Sequence, residues 1–149
     1  MSYVWINPVI ASMYDAYVLD EFLHRYGHER IETTKDWGTV VKEKYWLEVC
    51  QGNTPVADMR CPKIKELLLD MDVAQDVTMP EIPPILIHCG KEIGEAEKLK
   101  TTDKIITTPC QALADMGNSL GLSDTQFIPR KIYVGKRLPD RQGRIFTSF

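Results

Sequence analysis

The chain has 149 residues, a formal net charge of −3, 44% hydrophobic and 26% charged side chains, nine glycines and nine prolines. This length supports one ordinary domain with its own apolar core and no disulfide staples, and the composition excludes a disordered, collagenous or repetitive protein. The acidic balance excludes a general nucleic-acid binder.

Residues 3–6 read as a buried strand. Asn7 suits the cap of the helix that follows, and Pro8 its first position, where a missing N–H costs nothing. The helix is expected to run to about Tyr26 and to stop at Gly27. It is apolar nearly all round: Tyr14 and Tyr17 share a face with Glu21 and His24, while Val9, Ile10, Met13 and Phe22 occupy the others. Such a helix is expected to be covered on two sides, and a homo-oligomer interface is the simplest cover.

A strand at residues 30–33 precedes a helix over 36–50, with Trp37, Val40, Val41 and Tyr45 at helical spacing. After a turn at Gly52 and Asn53, the next strand covers residues 56–60 and ends at Cys61-Pro62. Ile64, Leu67, Leu68 and Met71 form the apolar face of a third helix. Beyond Pro80, Pro83 and Pro84, the apolar run at 85–88 predicts a central parallel strand that breaks at Cys89-Gly90. A short charged helix follows near 95–100, then a strand at 104–107. Thr108 is expected to cap, and Pro109 to open, a helix running to about Leu120 and ended by Gly121, with a last strand at 131–134. Alternating strands and helices predict an α/β fold: a three-layer, doubly wound, mostly parallel sheet of five or six strands, Rossmann-like or flavodoxin-like. The expected organisation is one domain over residues 1–135 followed by a basic arm over 136–149.

The chemistry is expected at the strand exits. Four of them carry a polar or thiol residue beside a helix start: Asn7-Pro8, Cys61-Pro62, Cys89-Gly90 and Thr108-Pro109-Cys110. Ligands of open α/β sheets bind beyond the carboxyl ends of the strands. With a 2-1-3-4-5 strand order, Cys61, Cys89 and Cys110 form a row of thiols beside Asn7; a 3-2-1-4-5-6 order breaks the row. Cys61 as an N-cap and Cys110 in a first helical turn would meet the positive end of a helix, which favours the thiolate. These three cysteines are the candidate catalytic residues. Asn7, Arg60, His88, Gly90, Thr107 and Thr108 are the candidate ligand-binding residues, with Arg60 and Asn7 orienting an anionic substrate. Cys50 falls on the opposite edge.

The chain contains neither C-x-x-C nor H-x-x-x-H, so any metal would need ligands gathered by the fold. Three thiolates would suit an iron–sulfur cluster with one open iron, or a zinc with His88 as fourth ligand, and the cofactor is left open. Each residue also has a plainer reading, since free cysteine packs as a small hydrophobe and His88 inside an apolar run suits a hydrogen-bonded core position. The functional expectation is a small-molecule-binding α/β protein, with thiol or metal chemistry at the strand exits. The alternatives are a non-catalytic nucleotide or small-anion sensor, using helix N-termini at the same edge, and an accessory oligomeric subunit. No G-x-G-x-x-G follows the first strand, and no G-x-x-x-x-G-K-[ST] occurs; Gly90-Lys91-Glu92-Ile93-Gly94 is expected only as a turn approaching a ligand.

The most apolar stretch, residues 9–19, is interrupted by Ser12 and Asp15 and is shorter than the roughly 20 residues a membrane span needs. With no basic residue before Arg25 and no cleavage-like site, a cytoplasmic protein with reduced thiols and no membrane partner is expected. The charge is uneven: residues 130–149 carry six basic side chains against Asp140 alone, a net +5, leaving −8 on the remainder. An arm of that contrast is expected to dock on acidic surface, its own or that of a second copy.

Overall fold

A computed structural model describes residues 1–130, so the strand expected at 131–134 and the arm from 136 onward lie outside the described residues. The chain divides into two compact bodies, one formed by Met1–Thr33 with the residues from Gly90 onward, the other by Thr34–Cys89.

The first body contains a four-stranded, all-parallel sheet. Its strands are β1 (Ser2–Trp5), β2 (His28–Arg30), β3 (Lys104–Thr108) and β4 (Thr125–Pro129), in the order β2-β1-β3-β4. The register sets Val4 beside Ile105, and Ile106 beside both Trp5 and Phe127. Parallel neighbours require crossovers. From β1 the chain passes through α1 (Pro8–Ala11) and α2 (Ala16–Arg25) to β2; from β3 it passes through α6 (Gln111–Asn118) to β4. The two crossovers leave the central β1–β3 pair in opposite directions, and their right-handed sense puts their helices on opposite faces.

Side-chain alternation supplies a core for each face. Val4 and Ile6 of the β1 segment pack with Tyr14, Leu19 and Leu23, and Ile105 joins them from β3. Ile106 and Phe127 point the other way. Phe127 lies against two glycines: a Cβ built on Gly117 of α6 would stand 2.2 Å from its ring, and one on Gly90 would stand 2.3 Å away. The Asn118 side chain completes β4, accepting from Phe127 N at 2.8 Å and donating to Phe127 O at 2.9 Å. Lys104 is fully buried, and its ammonium donates at 2.8 Å to the carbonyl of Leu99, at the end of a 3-10 turn (Glu97–Leu99).

Capping explains several boundaries. Asn7 Oδ1 accepts from Val9 N at 2.9 Å, with Pro8 at the first position of α1. Asp15 accepts from the amides of Tyr17 and Val18 and starts a second helix, so the single helix expected over 8–26 is two. The stop at Gly27 holds, because its φ of +76° is a conformation glycine adopts without steric cost. Tyr14 is buried, and Ile10, Met13 and Phe22 pack against the core, whereas Val9 and Tyr17 are exposed.

The second body consists of α3 (Trp37–Gln51), α4 (Ile64–Asp70), a 3-10 turn (Ala74–Asp76) and the first half of α5 (Ile85–Gly94). Asp36 caps α3, accepting from the Thr39 amide at 3.1 Å and hydroxyl at 2.7 Å. The Tyr45 hydroxyl accepts from Met59 N at 2.9 Å and so holds the 56–60 segment beside α3. Trp37 stacks on His88 with ring centroids 4.7 Å apart and planes within 6°.

Two expected strands are absent. Residues 85–88 open α5: Pro83 and Pro84 precede it, and Leu86, Ile87, Cys89, Gly90 and Ile93 are all buried. A short, wholly apolar run suits a buried helix as well as a buried strand, and Pro84 O accepting from the Ile87 and His88 amides selects the helix. Residues 56–60 make only an isolated bridge between Val56 and Thr78. Conversely, β4 was not expected, because a five-residue segment ending in proline and carrying a polar Gln126 resembles a loop. Among the described residues no helix is long and apolar enough to cross a membrane.

Two measurements test this packing. Gly117→Ala is expected to destabilise by about 1–3 kcal/mol in chemical denaturation, because the new methyl must displace the Phe127 ring, and adding Phe127→Leu should recover part of the loss. His28, whose Nδ1 lies 2.5 Å from Ser2 Oγ, has its pKa lowered from 6.5, first by partial burial and then by the positive chain terminus. The unfolded chain therefore takes up this proton more readily. Stability from the neutral ring is complete above about pH 6.5 and declines as pH falls through the folded value; His28→Gln should flatten that part of the stability profile.

Candidate ligand site at the sheet edge

In the first body the exits of β1 and β3 are neighbours. Thr107 Oγ1 donates to Trp5 O at 2.9 Å and accepts from Asn7 N at 3.4 Å. Thr108 Oγ1 donates to Cys110 O at 2.8 Å. Both residues are buried; the Thr107 hydroxyl ties the two exits together and the Thr108 hydroxyl closes the turn after β3, while Cys110 stands exposed as the N-cap of α6. Asn7, Thr107, Thr108 and Cys110 therefore share one edge.

The other sequence candidates lie elsewhere. Arg60 is an exposed side chain already forked onto Asp58, with Nε 2.9 Å and Nη2 2.5 Å from the carboxylate. That pairing raises the guanidinium pKa and holds the Asp58 carboxyl below the usual carboxylate range. Cys61 is exposed in the turn before α4, where its carbonyl accepts from Ile64 N at 3.1 Å. It precedes the first helical residue by three positions and is not the cap, a place taken by Lys63. His88 lies in α5 on Trp37, Cys89 is buried in α5, and Gly90 backs onto Phe127. Cys61 and Cys89 belong to the second body and Cys110 to the first. The expected row required residues 56–60 and 85–88 to be strands of the sheet, and neither is. Among the described residues no group of three or more His, Cys, Asp or Glu is placed to hold a metal ion.

The same edge carries a cavity of about 300 Å³ between the exits of β1 and β2. Trp5, Ile6, Pro8, Ala11 and Ile31 supply its apolar wall; Arg30, Glu32 and Thr33 supply the polar groups. A backbone bond from Ile31 N to Val4 O, 2.9 Å, keeps the segment leaving β2 alongside β1. Arg30 is held from two sides. Its Nε and Nη2 donate to the two Asp20 oxygens at 2.7 and 3.2 Å, and Nη1 donates to Glu32 Oε1 at 3.3 Å. The Asp20 bond is the first cause of its raised pKa. Arg30 and Glu32 also border an open groove of about 510 Å³ between α2 and β2, with Asp20, His24 and Glu29.

Sequence reasoning did not single out Trp5, Arg30 and Glu32, because it looked for polar or thiol residues at strand exits beside a helix start, and the exit of β2 has no helix start beside it. The available signal was the pair of opposite charges around Ile31 just where a strand ends, the same position that marked the other exits. Comparison of the chain with family models, with curated proteins and with solved structures finds no match.

Thiol titration checks the placement of the cysteines. Cys50, Cys61 and Cys110 are exposed and should react with a disulfide reagent in the native protein, whereas buried Cys89 should react only after denaturation.

Proposed function

We propose that this chain binds a small molecule at the C-terminal edge of its parallel sheet, in the cavity between the exits of β1 and β2. The observation that carries this reading is the cavity itself, a concave apolar wall with a few convergent polar groups on the edge where open parallel sheets take ligands. Its volume of about 300 Å³ is at the lower end of the roughly 300–1,000 Å³ range of small-molecule sites, which suits one compact ligand. On this reading the sheet is of the doubly wound, Rossmann-like or flavodoxin-like kind; its crossovers diverge between β1 and β3, and the cavity lies on the same edge at the neighbouring β1–β2 pair.

The function is binding in the first place. None of the four cysteines is among the described residues lining the cavity, so a ligand there does not depend on a thiol. Cys110 shares the edge and would serve a reaction only on a ligand extending toward β3.

A thermal-shift screen of a small-molecule library tests the reading. Stabilising compounds are expected, and the shift should survive replacement of all four cysteines by serine. It should vanish in Ile31→Trp and Ala11→Leu, two independent ways of filling the cavity. Shifts unaffected by both filled variants would place the ligand elsewhere and sink the proposal.

A further inference from the structure

A parallel sheet has two outer strands, and each presents backbone groups that its own sheet does not pair. In the first body the two outer strands differ. At β4 the Asn118 side chain takes both backbone groups of Phe127, at 2.8 and 2.9 Å, and Pro129 has no N–H to offer. The protein closes that side with its own residues. At β2 the bonds to β1 include Ser2 N to Gly27 O at 3.2 Å and Ile31 N to Val4 O at 2.9 Å. Alternate residues of a parallel strand turn their amide and carbonyl to the same neighbour, so residues 27, 29 and 31 serve β1 and the Arg30 backbone faces outward. Among the described residues nothing bonds to the Arg30 amide or carbonyl. This open side carries the groove of about 510 Å³ lined by Asp20, His24, Glu29, Arg30 and Glu32.

We propose that the groove beside β2 is the docking surface for the chain's own C-terminal arm, residues 136–149. The proposal does not depend on a ligand in the neighbouring cavity.

Charge is the first ground. The arm carries Lys136, Arg137, Arg141 and Arg144 against Asp140 alone. In the groove the Arg30 guanidinium is held by both oxygens of Asp20 and by Oε1 of Glu32. The exposed Glu29 carboxylate and Oε2 of Glu32 have no cation among the described residues. Glu21 extends the negative surface along α2, where Tyr17, Glu21 and His24 follow one another at helical spacing and all are exposed.

The second ground is what the groove offers besides charge. A small cation would answer the carboxylates and leave the Arg30 amide and carbonyl unanswered. A basic peptide answers both, with main-chain groups for the strand and side-chain cations for the acids. Exposed Tyr17 gives apolar residues such as Leu138, Ile145 and Phe146 a surface as well.

Reach selects the chain's own arm over another basic peptide. The exit of β4 stands three strand spacings from β2, roughly 14 Å. Residues 131–135 span up to about 17 Å when extended, which brings Lys136 to the groove. A tethered segment of this length acts at an effective concentration of roughly millimolar, which a free peptide does not reach.

The test is zero-length carbodiimide cross-linking of the full chain, in a mixture of unlabelled and heavy-nitrogen-labelled protein, read by mass spectrometry. Lys136, the sole lysine of the arm, is expected to couple to Glu29, Glu32 or Glu21 of its own chain. The yield should fall about fivefold or more at roughly 1 M salt, which screens exposed charge pairs. Limited trypsin digestion gives a second reading. Cleavage after Arg141 and Arg144 should be about fivefold or more faster in Glu21→Lys/Glu29→Lys than in the unaltered protein, because cleavage follows the population of undocked arm. The cross-link and its salt dependence need no variant, so they decide the question even where the double variant misfolds. Coupling between unlabelled and labelled chains puts the arm on a second copy and overturns the proposal. Absence of any Lys136 cross-link, coupling confined to carboxylates outside the groove such as Glu66 and Asp70, or equal cleavage in a folded double variant each overturns it too.

Discussion

The parallel pairing of β1 with β3 is the constraint on which the first body depends. It joins Tyr3–Trp5 to Lys104–Ile106, and Thr107 Oγ1 reaches Trp5 O across 102 residues of chain. A parallel pair cannot be closed by a hairpin, so both strands must send the chain around to the outer edges, where β2 and β4 complete the sheet. The exits of β1, β2 and β3 therefore lie on one edge of the sheet.

Packing gives the two sides of the sheet different character. On the side of α2 the core is built from branched and aromatic side chains around Val4 and Leu23. On the side of α6 one ring, Phe127, takes the room left by two missing side chains, at Gly90 and Gly117. That arrangement brings helix backbone close to the sheet and explains why Asn118 can pair with both backbone groups of β4. It also gives Gly90 a packing role in a helix, where the sequence suggested a ligand-facing turn.

The ionic groups at the edge are arranged for restraint more than for attraction. Arg30 joins α2, β2 and the segment beyond it through Asp20 and Glu32, at a side chain only 24% exposed. A partly buried fork of this kind has better-defined geometry than exposed pairs such as Arg60 with Asp58. The guanidinium thus presents its remaining N–H groups in a fixed direction.

Local signals in the sequence were enough for the α/β class, for β1 and β3 as parallel strands, for α3, α4 and α6 with shifted ends, and for the caps at Asn7 and Gly27. These features depend on neighbouring residues: alternation within a strand, a side-chain oxygen beside a free amide, a positive φ at glycine. The grouping of Asn7, Thr107, Thr108 and Cys110 on one sheet edge was also legible, since strand exits are marked by turn chemistry. Tertiary structure decided the rest. The run at 85–88 suits a buried strand or a buried helix equally, and it is the bonds from the Ile87 and His88 amides to Pro84 O, outside those four residues, that make it a helix. The expected row of thiols dissolved because it needed partners along a sheet, and partnership in a sheet is a long-range property. Arg30 and Glu32 line a cavity only because Asp20, ten positions from Arg30, and β1, at the start of the chain, are folded against that segment. Sequence by itself determined which segments can form and where they stop; only the fold determined which ones meet, because pairing and burial depend on residues far apart in the chain.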